Sequence, residues 1–138
     1  MIAIGEDRRT IYLTLGDKTD LYHRLAFYYP VYNFTTGKEE KYRFKPTDKI
    51  SFVVKEKKGY TKEEVLRKEY TLADIGYTEE TEYVPIILEE SDTKVFDLLN
   101  KKRTYWYDIV LNDSTTILGF DLEGASKLIV FPEANEID

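Results

Sequence analysis

Thr104-Tyr105-Trp106-Tyr107-Asp108-Ile109-Val110-Leu111-Asn112 is the stretch that decides the fold class. Tyr105, Tyr107, Ile109 and Leu111 recur at every second position, so they share one face of an extended strand. Trp106, Asp108 and Val110 share the other face. Both rows are largely apolar, which predicts a central strand covered on both sides. On that reading Trp106→Ala is expected to cost about 3–5 kcal/mol, as the loss of a core aromatic.

The same period extends outward along the chain. In Asp48-Lys49-Ile50-Ser51-Phe52-Val53-Val54-Lys55-Glu56, residues Ile50, Phe52 and Val54 fall on one face, and Lys49, Ser51 and Lys55 on the other. Residues 11–15, 82–88, 116–120 and 127–131 complete the clear strand set. The expected inward rows include Ile50, Phe52, Val54, Ile109, Leu111 and Ile129. Turn residues separate these runs at short intervals: Gly16-Asp17, Gly37-Lys38, Pro46-Thr47-Asp48, Lys58-Gly59, Gly76, Asn112-Asp113-Ser114, Gly124 and Pro132. Short β-prone runs between regular turns predict an all-β domain, an immunoglobulin-like or jelly-roll β-sandwich with one short helix. The whole chain, 1–138, reads as one domain, with 131–138 as a frayed tail.

Two segments have helical features. Thr61-Lys62-Glu63-Glu64 fits a capping box, yet Val65, Leu66 and Tyr70 make a poor helical stripe, so residues 61–71 stay open between helix and strand. Ser91 to Asn100 reads as one or two helical turns, capped by Asp92, with Val95, Phe96 and Leu99 inward.

Composition excludes several kinds of chemistry. The 138 residues include no cysteine and one histidine, so thiolate catalysis, zinc fingers, iron–sulfur ligation and two-histidine metal sites are all ruled out. The net charge of −6 disfavours nucleic acid, whose phosphates need a basic patch. No apolar run approaches the roughly 18 residues of a membrane span. The opening Met1 to Arg9 lacks a basic leader followed by an apolar core, so no export signal is expected.

Short motif matches fail on context. Gly119-Phe120-Asp121-Leu122-Glu123-Gly124 has phosphate-loop glycine spacing, but Ala125 and Ser126 follow where Lys and Ser/Thr belong. Ser91-Asp92-Thr93-Lys94 matches Ser-x-x-Lys without its companion motifs and is better explained by helix capping. His23 has no nucleophile elbow to serve. Glu39-Glu40, Glu79-Glu80-Glu82 and Glu89-Glu90-Asp92 lack calcium-loop spacing and read as solvated turns. The sequons at Asn33 and Asn112 carry no weight without a secretory route. No catalytic residue, metal or cofactor is expected, and the chain is read as a non-enzyme.

The candidate binding surface is aromatic. The chain has twelve Tyr, seven Phe and one Trp, and Tyr22, Phe27, Tyr28, Tyr29, Tyr32 and Phe34 cluster in one stretch. Tyrosine joins a large contact area to a polar handle, which suits interfaces and sugar platforms. Filling a β-core is the competing explanation, and both stay open for residues 22–34. Pro30 cannot donate to a ladder and marks an edge or a break there.

The order of segments resembles the small β-sandwich modules of phage and prophage tails, especially the N-terminal domain of the baseplate upper protein family. The resemblance rests on Leu15-Gly16-Asp17, Asp48 to Lys55, Lys68-Glu69-Tyr70, Ile86-Ile87-Leu88 and Ser91-Asp92-Thr93 with its helical turn. Tyr105 to Leu111 and Gly119-Phe120-Asp121-Leu122 complete it, so that it spans roughly residues 10–131. Lys101-Lys102-Arg103 stand where the family has Gly, and the first third fits less well. The resemblance implies a strand at 65–72 and a structural, non-catalytic role. It implies a homo-oligomer that also contacts other tail or baseplate proteins, in the virion and in the host cytoplasm during production. The alternative is a carbohydrate-binding β-sandwich module using Tyr28, Tyr29, Tyr32 and Trp106.

Overall fold

The computed structural model describes residues 2–6, 9–15, 24–25, 30–33, 38–56, 64–96, 98, 101–113, 115–118 and 126–132. Among these residues, eleven strands and almost no helix make the fold all-β. In chain order the strands are β1 (Ile2–Ile4), β2 (Ile11–Thr14), β3 (Arg24–Leu25), β4 (Pro30–Asn33), β5 (Lys38–Lys41) and β6 (Lys49–Lys55). They continue with β7 (Leu66–Thr71), β8 (Val84–Pro85), β9 (Arg103–Leu111), β10 (Thr115–Leu118) and β11 (Lys127–Phe131).

Seven strands form one curled sheet in the order β1-β2-β11-β9-β6-β7, with β10 also paired to β9. Every pairing is antiparallel except β11 with β2. Strand β9 organises the sheet. One edge pairs with β6 from Trp106 to Leu111. The other edge takes β11 along residues 103–106 and β10 along residues 109–111. Two smaller sheets, β3-β8 and β4-β5, stand apart from it.

The core lies against one face of the large sheet. Ile11, Leu13, Ile50, Phe52, Val54, Tyr105, Tyr107, Ile109, Leu111, Leu128 and Val130 are buried there. Leu72, Val84, Ile86, Leu88 and Phe96 close the core from the long segment between β7 and β9, and Phe44 adds to it. Alternation explains the sheet's contribution: Tyr105, Tyr107, Ile109 and Leu111 are the buried members of β9.

The second row of β9 departs from expectation. Trp106, Asp108 and Val110 are half-buried, so β9 is central but not fully covered. The strand buried on both faces is β6, where Ser51 and Val53 are as enclosed as Ile50, Phe52 and Val54. Ser51 lies between Glu69 and Val110 in register, and Val53 between Arg67 and Asp108. Ile129 is not inward either. It is half-buried, while Leu128 and Val130 fill the core. Four consecutive apolar residues in β11 left the choice of face open, and pairing with Tyr105 fixed it through Leu128.

Residues 66–71 form a strand, and Thr61 lies outside the described residues. Among the described residues a short 3-10 turn spans Ala73–Ile75 and one α-helical turn is α1 (Glu90–Thr93), whose cap differs from expectation: Glu89 is the N-cap and Asp92 occupies N3. The two side chains satisfy each other's backbone N–H groups, a capping box with acidic residues in both places. Val95 is exposed, whereas Phe96 is buried and its ring tilts against Tyr105 at 5.0 Å. Residues 82–88 contain only the two-residue β8, since Pro85 cannot extend a ladder. Phe131, counted on sequence grounds both in the strand 127–131 and in the tail 131–138, is the last residue of β11, and its carbonyl accepts from the Leu15 N–H at 3.1 Å.

Candidate functional site

Of the six aromatics singled out from sequence, Tyr32 alone falls among the described residues. Tyr22, Phe27, Tyr28, Tyr29 and Phe34 lie outside the described residues, as does His23. Tyr32 belongs to β4, opposite Glu39 of β5. Pro30 is the first residue of that strand, a position that needs no ladder donor.

The described residues present a different aromatic surface, on the face of the large sheet turned away from the core. Tyr12 is 37% exposed there and stacks on Phe131, with centroids 6.4 Å apart and planes 28° from parallel. Register places Tyr12 beside Ile129, Ile129 opposite Thr104, and Trp106 between Lys127 and Lys55. Ile129, Phe131, Trp106 and Val110 are all half-buried. The row therefore crosses β2, β11 and β9, and its apolar members keep part of their area in contact with solvent. Alternation in 11–15 and 127–131 carries the signal for it, because each run has large apolar residues on both faces.

A charged pair interrupts this face. Lys55 Nζ lies 2.9 Å from an Asp108 carboxylate oxygen, with the side chains only 14% and 23% exposed. Such a pair offsets its own desolvation only while both partners are present. Lys55→Met is expected to destabilise by about 1–3 kcal/mol by leaving Asp108 uncompensated. Lys55→Met with Asp108→Leu should recover most of the loss. Urea denaturation checks this, and a double variant no better than the single would refute it.

Trp106 adds a second feature. Its indole Nε1 is buried and has no hydrogen-bond partner among the described residues. Half-burial of the ring puts the expected cost of Trp106→Ala below the range for a fully buried aromatic. Trp106→Phe should leave the thermal midpoint unchanged or raise it, because a buried unpaired donor costs about 1–3 kcal/mol, offsetting the lost ring area. A midpoint lowered by several degrees would contradict this.

Four of the acidic residues flagged on sequence grounds have cationic partners. Glu80 and Glu82 face Arg43 at 3.3 and 3.9 Å. Asp92 lies 3.0 Å and Glu89 3.9 Å from Lys68 Nζ. Among the described residues no group of three or more His, Asp or Glu side chains is arranged to hold a metal ion.

The sequon residue Asn112 is also committed. Its Oδ1 accepts from the Lys49 N–H at 2.8 Å and its Nδ2 donates to Asp48 at 3.0 Å. Asn112 and Asp113 both have positive φ, at 50° and 60°, a conformation these two residue types tolerate. The turn after β9 is thereby fastened to the start of β6.

Comparison with family models, with curated proteins and with solved structures finds no match to the chain.

Proposed function

We propose that this protein is a non-enzymatic structural component of a phage or prophage tail or baseplate, acting through protein–protein contact. The observation that carries the contact reading is the half-exposed row of Tyr12, Trp106, Val110, Ile129 and Phe131 on the outer sheet face. Interfaces concentrate Tyr, Trp and Phe in this way. The tail context rests on the resemblance in segment order. On this reading the large sheet is one layer of an immunoglobulin-like or jelly-roll sandwich. The chain is made in the bacterial cytoplasm and ends in the virion, in contact with its own copies and with other tail proteins.

One outer edge of the large sheet, β7, is charged, which favours contact through the face over pairing at that edge. Strand β7 carries Arg67, Lys68 and Glu69 in succession, and charges on an edge strand oppose further pairing. Arg67 is already held by Glu64 and Glu69 at 2.5 and 2.9 Å.

Mass spectrometry of tail particles purified from the bacterium that carries the gene tests the proposal. The chain is expected as a stoichiometric constituent, with genes for tail or baseplate proteins flanking its own. A metabolic gene neighbourhood and particles without the chain would overturn it. Glycan binding lost on Tyr12→Ala or Trp106→Ala would replace it with the carbohydrate-binding reading.

A further inference from the structure

We propose that β4 is a pairing edge for a second copy of this chain, giving a four-stranded sheet in the order β5-β4-β4-β5 across two protomers. The proposal rests on the contact-based function above and specifies where one of those contacts forms.

The first observation is incompleteness. Strands β4 and β5 pair with each other over four residues, from Pro30 opposite Lys41 to Asn33 opposite Lys38, and with no other described strand. A two-stranded ribbon is marginally stable in water, and a third strand is the usual remedy.

The second observation is the contrast between its edges. Strand β5 reads Lys38-Glu39-Glu40-Lys41, with a charge at every position. Strand β4 reads Pro30-Val31-Tyr32-Asn33, with no charge and with Val and Tyr at its centre. An antiparallel pair made by a two-fold axis sets its central residue opposite its own copy. On β5 every such register opposes two like charges, which is destabilising. Strand β7 fails in the same way at Arg67, Lys68 or Glu69. Strand β4 carries no such penalty.

Pro30 selects the register. It has no N–H to give, so a ladder that uses it loses a bond. Centring on Tyr32 sets Tyr32 opposite Tyr32 of the second copy and Val31 opposite Asn33, and leaves Pro30 outside the central pairs. The charged β5 strands then form the two outer edges of the joined sheet, where charge blocks further growth. Strands β1 and β10 are also uncharged and lie at edges, but both already belong to the seven-stranded sheet and need no completion.

The absence of cysteine makes the test direct. Tyr32→Cys, Glu39→Cys and Ala3→Cys are each introduced alone into the full chain and oxidised under identical conditions. Residues directly opposite in an antiparallel pair lie within disulfide reach. Tyr32→Cys should give at least about tenfold more disulfide-linked dimer than either control, with all three variants matching the parent in circular dichroism and thermal midpoint. Unmodified chain should show concentration-dependent dimerisation by light scattering, lost on Val31→Lys. Equal cross-linking at all three positions, preferential cross-linking at Ala3→Cys, or a strict monomer would overturn the proposal. A strict monomer recovered in tail particles would refute this pairing and leave the assembly function standing. A Tyr32-linked dimer absent from such particles would do the reverse.

Discussion

Asp48→Ala is expected to destabilise the protein by about 2–4 kcal/mol, although it removes no apolar contact. Asp48 is 6% exposed and ties the stretch before β6 to the end of β7 and to the turn after β9. One carboxylate oxygen accepts from the Tyr42 hydroxyl at 2.9 Å and from the Lys45 N–H at 2.8 Å. The other accepts from Asn112 Nδ2 at 3.0 Å. The backbone adds two further ties: the Asp48 N–H donates to the Lys45 carbonyl, and the Asp48 carbonyl accepts from Leu72. Truncation leaves three donors facing a space without an acceptor, and that loss is the main cost. Asp48→Asn should cost less, but it sets an amide NH₂ against Asn112 Nδ2, which cannot turn round because its Oδ1 is held by Lys49.

The same residue gives a pH dependence of known sign. Burial pushes the Asp48 carboxyl upward, and the bonds from Lys45, Asn112 and Tyr42 together outweigh that, holding it below its ordinary value of 3.8. A carboxylate depressed in the folded state contributes stability that is present above its unfolded value and is lost as pH falls through the folded one. Stability should therefore fall below about pH 4, and fall less steeply in Asp48→Asn. Glu64, Glu69 and Asp74 are depressed as well, by Arg67, by Arg67 with Lys49, and by Thr71 respectively. Some acid dependence must accordingly survive in the variant. Urea titrations at stepped pH measure it, and identical slopes in the two proteins would rule out Asp48 as a source.

How far the fold was legible depends on how each strand takes its partners. Strand β9 was readable because its buried face repeats without a break, and the inward row of β6 because Ile50, Phe52 and Val54 recur at every second position, while the burial of Ser51 and Val53 behind them was not. The face of Ile129 was not readable, since alternation carries no information where both rows are apolar. Strand β5, all charged, is opposite to β-propensity and exists through its pairing with β4. The two-residue strands β3 and β8 likewise depend on a partner distant in sequence. The cap of α1 was misplaced by three residues because Glu89 and Asp92 both carry acceptors and only the backbone reveals which precedes the turn. The outer-face row failed to register for a related reason. Each of Tyr12, Trp106 and Phe131 is explained locally as a strand residue, and only the order β2-β11-β9 makes them neighbours. Most of the aromatic stretch 22–34 lies outside the described residues.

Tyr107→Ala should be among the most damaging single changes, at about 3–5 kcal/mol. Tyr107 is 2% exposed at the centre of β9, where its ring tilts against Phe52 at 5.4 Å. It sits opposite Val54 in register, so the two inner strands of the sheet meet at this side chain. Its hydroxyl donates to the backbone carbonyl of Arg9, just before β2. The residue thus joins three parts of the sheet: β6 through register, the core through its ring and the entry to β2 through its oxygen. The two contributions separate by substitution. Tyr107→Phe keeps the ring and removes only the hydroxyl, for an expected cost of about 1 kcal/mol. Tyr107→Ala loses the ring as well and leaves a cavity beside Phe52 that the surrounding strands cannot close without shifting register. Thermal and urea unfolding of both variants test the partition. Equal losses would mean that the Arg9 bond carries the stability and the ring contributes little. An Ala variant within about 1 kcal/mol of the parent would mean that Tyr107 lies outside the packed core.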